Sequence, residues 1–141
     1  MTRKTIVPST FLALMFLSHA QGANDTAPFD GVWNTTLTCR TAEGALGYAY
    51  EFLSTVKGGV LHGERGVEGT PGWLRLEGTV EPSGKAEIHA KGMVGQQQHA
   101  LGERPRGTPY AYQIVAKFTA NEGTGKRVKS RPCKVTFVRI K

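Results

Sequence analysis

Three groups of residues in this chain are of types that carry chemistry. "LHGERG" sets His62 and Glu64 two positions apart, which places both on one face of an extended segment. Such a pair can ligate a metal or relay a proton, yet a metal site needs three or four convergent ligands. His89 and His99 are the candidates for a third ligand, and no motif places either beside the pair. No nucleophile or oxyanion-hole motif accompanies it. The expectation is a solvated strand face with no metal, no cofactor and no catalysis.

The second group is "GQQQHALGERPRGTPY", running from Gly95 to Tyr110. A stretch of about 15 residues without its own structure is unusual in a compact domain and is commonly functional. It combines Gln96, Gln97 and Gln98 with His99, Arg104 and Arg106. Pro105 and Pro109 fix φ at two points, which favours a lid or a protruding contact loop over disorder. Arg104 and Arg106 flank Pro105, so extended backbone sends both to one side, where they could clamp one carboxylate or phosphate. His99, Arg104, Arg106 and Tyr110 are therefore candidate ligand or partner contacts, together with Tyr48, Tyr50 and Tyr112 from neighbouring runs.

The third group is the cysteines, Cys39 and Cys133, the only two in the chain. Their compartment follows from what precedes them. Arg3 and Lys4 followed by "FLALMFL" (Phe11 to Leu17) and by Ser18-His19-Ala20 read as a secretory signal. Cleavage is expected after residue 20, with 23 as the second choice. The apolar run is far short of the roughly 20 residues that span a bilayer, and no later hydrophobic segment offers a transmembrane anchor. Residues 21–28 would form an N-terminal arm and 29–141 one domain. In an exported chain an even cysteine count favours a disulfide, and only one pairing exists.

What must position these groups is a series of short alternating runs separated by glycine-rich turns, with no helical period. "VWNTTLTC" puts Trp33, Thr35, Leu37 and Cys39 on one face. "YAYEFLSTV" aligns Tyr48, Tyr50, Phe52 and Val56, and "KGG" turns it into "VLHGERG". "WLRLEGTV" follows a Pro71-Gly72 turn, "EPSG" is a tight turn, and "KAEIHAKG" faces Ala86, Ile88 and Ala90 inward. "YAYQIVAKFTA" aligns Tyr112, Ile114, Ala116 and Phe118; "NEGTG" is read as a turn into "KRVKS"; and "CKVTFVRI" ends the series. The expected fold is all-β: one antiparallel meander closing into a roughly eight-stranded up-and-down barrel with one disulfide. Closure removes the sheet edges and brings the first and last strands together, so Cys39 can meet Cys133 and staple the seam.

Gly31-Val32-Trp33 on the first strand of such a meander resembles the calycin barrels: lipocalins, avidin-like proteins and bacterial metalloprotease inhibitors. The resemblance implies that Trp33 closes one end of the barrel. Over a longer span, "FDGVW…LTC…GALGY…VLHGERG…PGWLRLEG…RGTPYAY…RPCKVTF" resembles an exported bacterial module of unassigned function. That likeness implies a periplasmic or secreted bacterial setting.

Loss of Arg3 and Lys4 takes the formal charge from +7 to +5. The tail from Lys126 to Lys141 holds Lys126, Arg127, Lys129, Arg131, Lys134, Arg139 and Lys141 with no acid. It lacks the interleaved aromatics of a nucleic-acid platform, so a solubilising face with weak adhesion to anionic surfaces is expected, and no nucleic acid. The functional expectation is an exported, non-enzymatic binding module for a small amphipathic ligand, its interior lined by Tyr48, Tyr50, Tyr112, Phe52 and Phe118. The alternative is a protein-binding barrel, such as a hydrolase inhibitor, that inserts the 95–109 loop or the N-terminal arm into a partner.

Overall fold

The computed structural model describes residues 27–141. The expected signal and most of the arm lie outside the described residues. A short 3-10 turn, Ala27–Phe29, leads into β1 (Gly31–Cys39), β2 (Tyr48–Lys57), β3 (Val60–Arg65) and β4 (Leu74–Val80). β5 (Lys85–Met93), β6 (Pro109–Phe118), β7 (Glu122–Arg127) and β8 (Cys133–Arg139) complete the chain. Each strand pairs antiparallel with the next, and β1 pairs with β8, so the sheet is a closed eight-stranded barrel. No described helix is long and apolar enough to cross a membrane.

The alternation read in the sequence becomes the inside and outside of this barrel. Trp33, Thr35, Leu37 and Cys39 point inward and are buried, as are Ala86, Ile88 and Ala90 on β5. The buried hydroxyls of Thr35 and Ser54 satisfy each other at 2.7 Å. Gly63 makes room for that pair, because a Cβ there would stand 2.1 Å from Ser54 Oγ.

Turn chemistry sets the hairpins. Gly58 and Gly59 both have positive φ between β2 and β3, and Asp30 accepts their amides at 2.9 and 3.3 Å. Before β4, Trp73 N–H donates to Thr70 C=O around Pro71 and Gly72, the residue pattern of a type II turn.

One strand begins earlier than the sequence suggests. "NEGTG" is not a turn into "KRVKS": β7 already starts at Glu122 and ends at Arg127. Gly123 and Gly125 face inward, where a Cβ would lie 3.0 Å from the Phe118 ring and 2.7 Å from Ala116 Cβ. These glycines let strands pack closely instead of bending the chain.

Trp33 is fully buried at one end, as the calycin resemblance implied. Its indole N–H donates to Phe29 C=O at 3.1 Å, and Phe118 meets it edge-on at 5.1 Å. The Arg139 guanidinium lies 4.5 Å from the ring and donates to the carbonyls of Ala120, Asp30 and Pro28. Chain entry, the β6–β7 turn and the last strand are thereby tied together over the tryptophan. This end is closed.

A candidate ligand site at the barrel mouth

At the opposite end the strand interiors carry tyrosines instead of aliphatic residues. Tyr48 and Tyr50 lie on β2 and Tyr110 and Tyr112 on β6, four strands away around the barrel. The same tripeptide, Tyr-Ala-Tyr, thus faces itself across the mouth. Tyr48 and Tyr50 have ring centroids 4.8 Å apart; Tyr110 and Tyr112 stack at 6.0 Å. Gly92 on β5 opposes Tyr110 and permits its inward ring, since a Cβ at Gly92 would lie 2.5 Å from the hydroxyl.

Guanidinium groups cover the rings. Arg65 lies 3.9 Å from the Tyr50 centroid, Arg127 4.3 Å from Tyr112 and Arg131 5.1 Å from Tyr48. Burial pushes the Tyr48, Tyr110 and Tyr112 phenols above their ordinary value, with neighbouring phenols adding to the shift. They stay neutral at physiological pH and can donate a proton to an acceptor.

The stretch after β5 is not structureless. Short 3-10 turns at Gln97–His99 and Leu101–Glu103 fold it back over the mouth, and Pro109 already belongs to β6. Leu46 N–H donates to Gln98 C=O at 2.8 Å, and Gly107 N–H to Val94 C=O at 2.7 Å. Arg131, 4 % exposed, holds the arrangement from β8's side. It donates to the carbonyls of Arg40, His99, Ala45 and Leu46. A planar fork of five N–H donors suits this role, and a point-charge ammonium does not.

Arg131→Met should therefore lower stability by about 1.5–3 kcal/mol, the range for hydrogen bonds to a charged group, and Arg131→Lys should not restore it. Denaturant unfolding measures the loss. Faster amide exchange confined to residues 40–47 and 95–104 would place it at the mouth, whereas uniform exchange would contradict a local clamp.

Between the tyrosines and the folded-back loop lies a cavity of ≈ 160 Å³. Of the residues singled out from sequence, Tyr48, Tyr50, Tyr110, Tyr112, His99 and Arg104 line it. Arg106 does not: it donates to Gly95 C=O at 2.9 Å, within its own loop. The two arginines around Pro105 are thus separated, one at the cavity and one bracing the loop. Phe52 and Phe118, expected in the lining, sit in the packed core instead. Between Trp33 and the tyrosines the described interior is a cluster of buried apolar side chains. Cys39 and Cys133 are cross-strand partners on the mouth side and are disulfide-bonded.

Arg127 and Arg131 also line the cavity, and sequence reasoning assigned them to a basic tail. Parity held a signal: residues 123, 125 and 127 alternate inward on β7, as 135, 137 and 139 do on β8. Two side-chain atoms among the lining residues are buried without a hydrogen-bond partner, Tyr112 Oη and Arg127 Nε.

His62 and Glu64 lie elsewhere, on the barrel exterior. His62 stands 3.5 Å from Glu64 and 3.7 Å from Glu77. Glu64 accepts from the Trp73 indole at 2.7 Å, which with Arg75 holds its carboxyl below the ordinary value. Among the described residues, no three His, Cys, Asp or Glu side chains gather as a metal would require.

Comparison with protein-family models, with curated proteins and with solved structures gives no match.

Proposed function

We propose that this protein is an exported, non-enzymatic binding module that holds a small amphipathic ligand in the mouth of its barrel. The observation that carries the reading is the ≈ 160 Å³ cavity lined by four tyrosines, among them Tyr112 with its buried, unpartnered hydroxyl. Apolar walls with few oriented polar groups are the usual make-up of a small-molecule site. The volume suits a compact ligand, since a cavity of about 150 Å³ accepts benzene. Among calycin-like barrels this resembles a carrier more than an inhibitor, because the 95–108 stretch is bonded back onto the mouth. The disulfide fits an oxidising periplasmic or extracellular setting.

Native mass spectrometry of protein exported to a bacterial periplasm tests the reading. A bound species of single-ring size, lost when Tyr112→Trp fills the cavity, is the expected result. A stoichiometric protein partner with no small-molecule adduct would replace the carrier by the interaction module.

A further inference from the structure

We propose that the mouth selects a small ring-bearing organic anion, its acid group held by Arg127 and Tyr112 and its ring by the facing tyrosines. This rests on the reading of the mouth as a ligand site and adds the ligand's charge. The lining contains Arg104, Arg127 and Arg131 but no Asp or Glu. Arg131 commits its donors to four carbonyls. The side chains of Arg104 and Arg127 make no hydrogen bond or ion pair with any of the described residues.

Arg127 is the decisive group. It projects inward from β7, its guanidinium lies over the Tyr112 ring, and its Nε–H is buried and unpaired. A buried N–H of a charged group is costly to leave without an acceptor. Tyr112 supplies the second donor, because its buried hydroxyl also lacks a partner and stays protonated. Two unpaired donors, one cationic, in a cavity without an acid call for an acceptor bearing negative charge. A carboxylate fits: Arg127 and Tyr112 both line the cavity, and a guanidinium and a phenol can give it charge-assisted bonds. Tyr48, Tyr50 and Tyr110 also line the cavity and offer aromatic surface to a ring. The volume allows one ring and its substituent.

Benzoate, benzamide and benzamidine share a shape and differ in charge, so they separate the ligand's charge from the existence of the site. Each is titrated into uniformly ¹⁵N-labelled protein and followed by amide shifts. Benzoate should perturb residues around Tyr48, His99, Tyr112 and Arg127 and bind at least tenfold more tightly than benzamide; benzamidine should not perturb them. Arg127→Met should cut benzoate affinity tenfold or more while leaving benzamide unchanged. Tyr112→Phe should reduce it several-fold. If benzamide or benzamidine binds the mouth as well as benzoate, the anion assignment falls and the ligand site stands. If none of the three perturbs the mouth, both fall. Benzoate shifts confined to the exterior lysines Lys117, Lys126 and Lys134 would show non-specific surface attraction and overturn the assignment as well. The wild-type series decides the matter even if Arg127→Met fails to fold.

Discussion

Trp33→Ala is expected to cost about 3–5 kcal/mol of stability, the range for truncating a large buried aromatic. The side chain is fully buried and packs against Phe118. Its removal leaves a cavity bounded by barrel strands that cannot collapse independently, because each is bonded to two neighbours. It also takes away the donor to Phe29 C=O and the face beneath the Arg139 guanidinium. Arg139 would still hold three carbonyls, so the N-terminal turn should remain attached while its packing loosens. Denaturant unfolding gives the loss. Ligand titration of the fraction that folds should give unchanged affinity, because Trp33 sits at the end away from the cavity. A stable variant with weakened binding would mean that the two ends of the barrel are coupled, contrary to the packed core between them.

The closed end was largely legible in the sequence, and the reason is local. Parity along β1 and β8 assigns Trp33, Leu37, Val135 and Phe137 to the interior without knowledge of the fold. On the mouth side, two cysteines in the chain leave a single pairing, and closure of the meander makes its ends neighbours. The mouth was legible only in part. Tyr48, Tyr50, Tyr110 and Tyr112 follow from the same parity, but that they face one another depends on β2 and β6 lying across a closed barrel. Arg127 and Arg131 were hidden by their surroundings in sequence, where basic neighbours suggest a solvated tail. Arg131 follows β7 in a bend, so no strand period applies to it; it becomes a keystone only because four carbonyls from distant segments converge there. Arg106 misled for a related reason. Its spacing from Arg104 suggests a clamp, whereas the loop turns back and gives the guanidinium a carbonyl of its own.

Removing the disulfide with the double variant Cys39→Ala/Cys133→Ala should cost about 2–5 kcal/mol, with the chain-entropy model placing a loop of this length near the top of that range. The bridge joins residues 94 apart, so it excludes many unfolded conformations. Its native-state contribution is smaller, because β1 and β8 remain paired in register from Trp33–Arg139 to the bridge itself. The variant should therefore fold to the same barrel and unfold at lower denaturant. The m-value provides a second and sharper sign. A cross-linked unfolded chain is more compact and exposes less surface, so the variant should show a larger m than the oxidised protein. Wild type in reductant should match the variant in both midpoint and slope, and reductant should leave the variant unchanged. A lower midpoint with unchanged m would move the effect into the native state, at the rim where Arg40 N–H donates to Pro132 C=O beside the bridge. In that case the mouth, which Arg131 clamps from the adjoining residue, should loosen with it, and ligand affinity would fall on reduction. Coincident midpoints with and without reductant would remove the staple from the account of this barrel's stability.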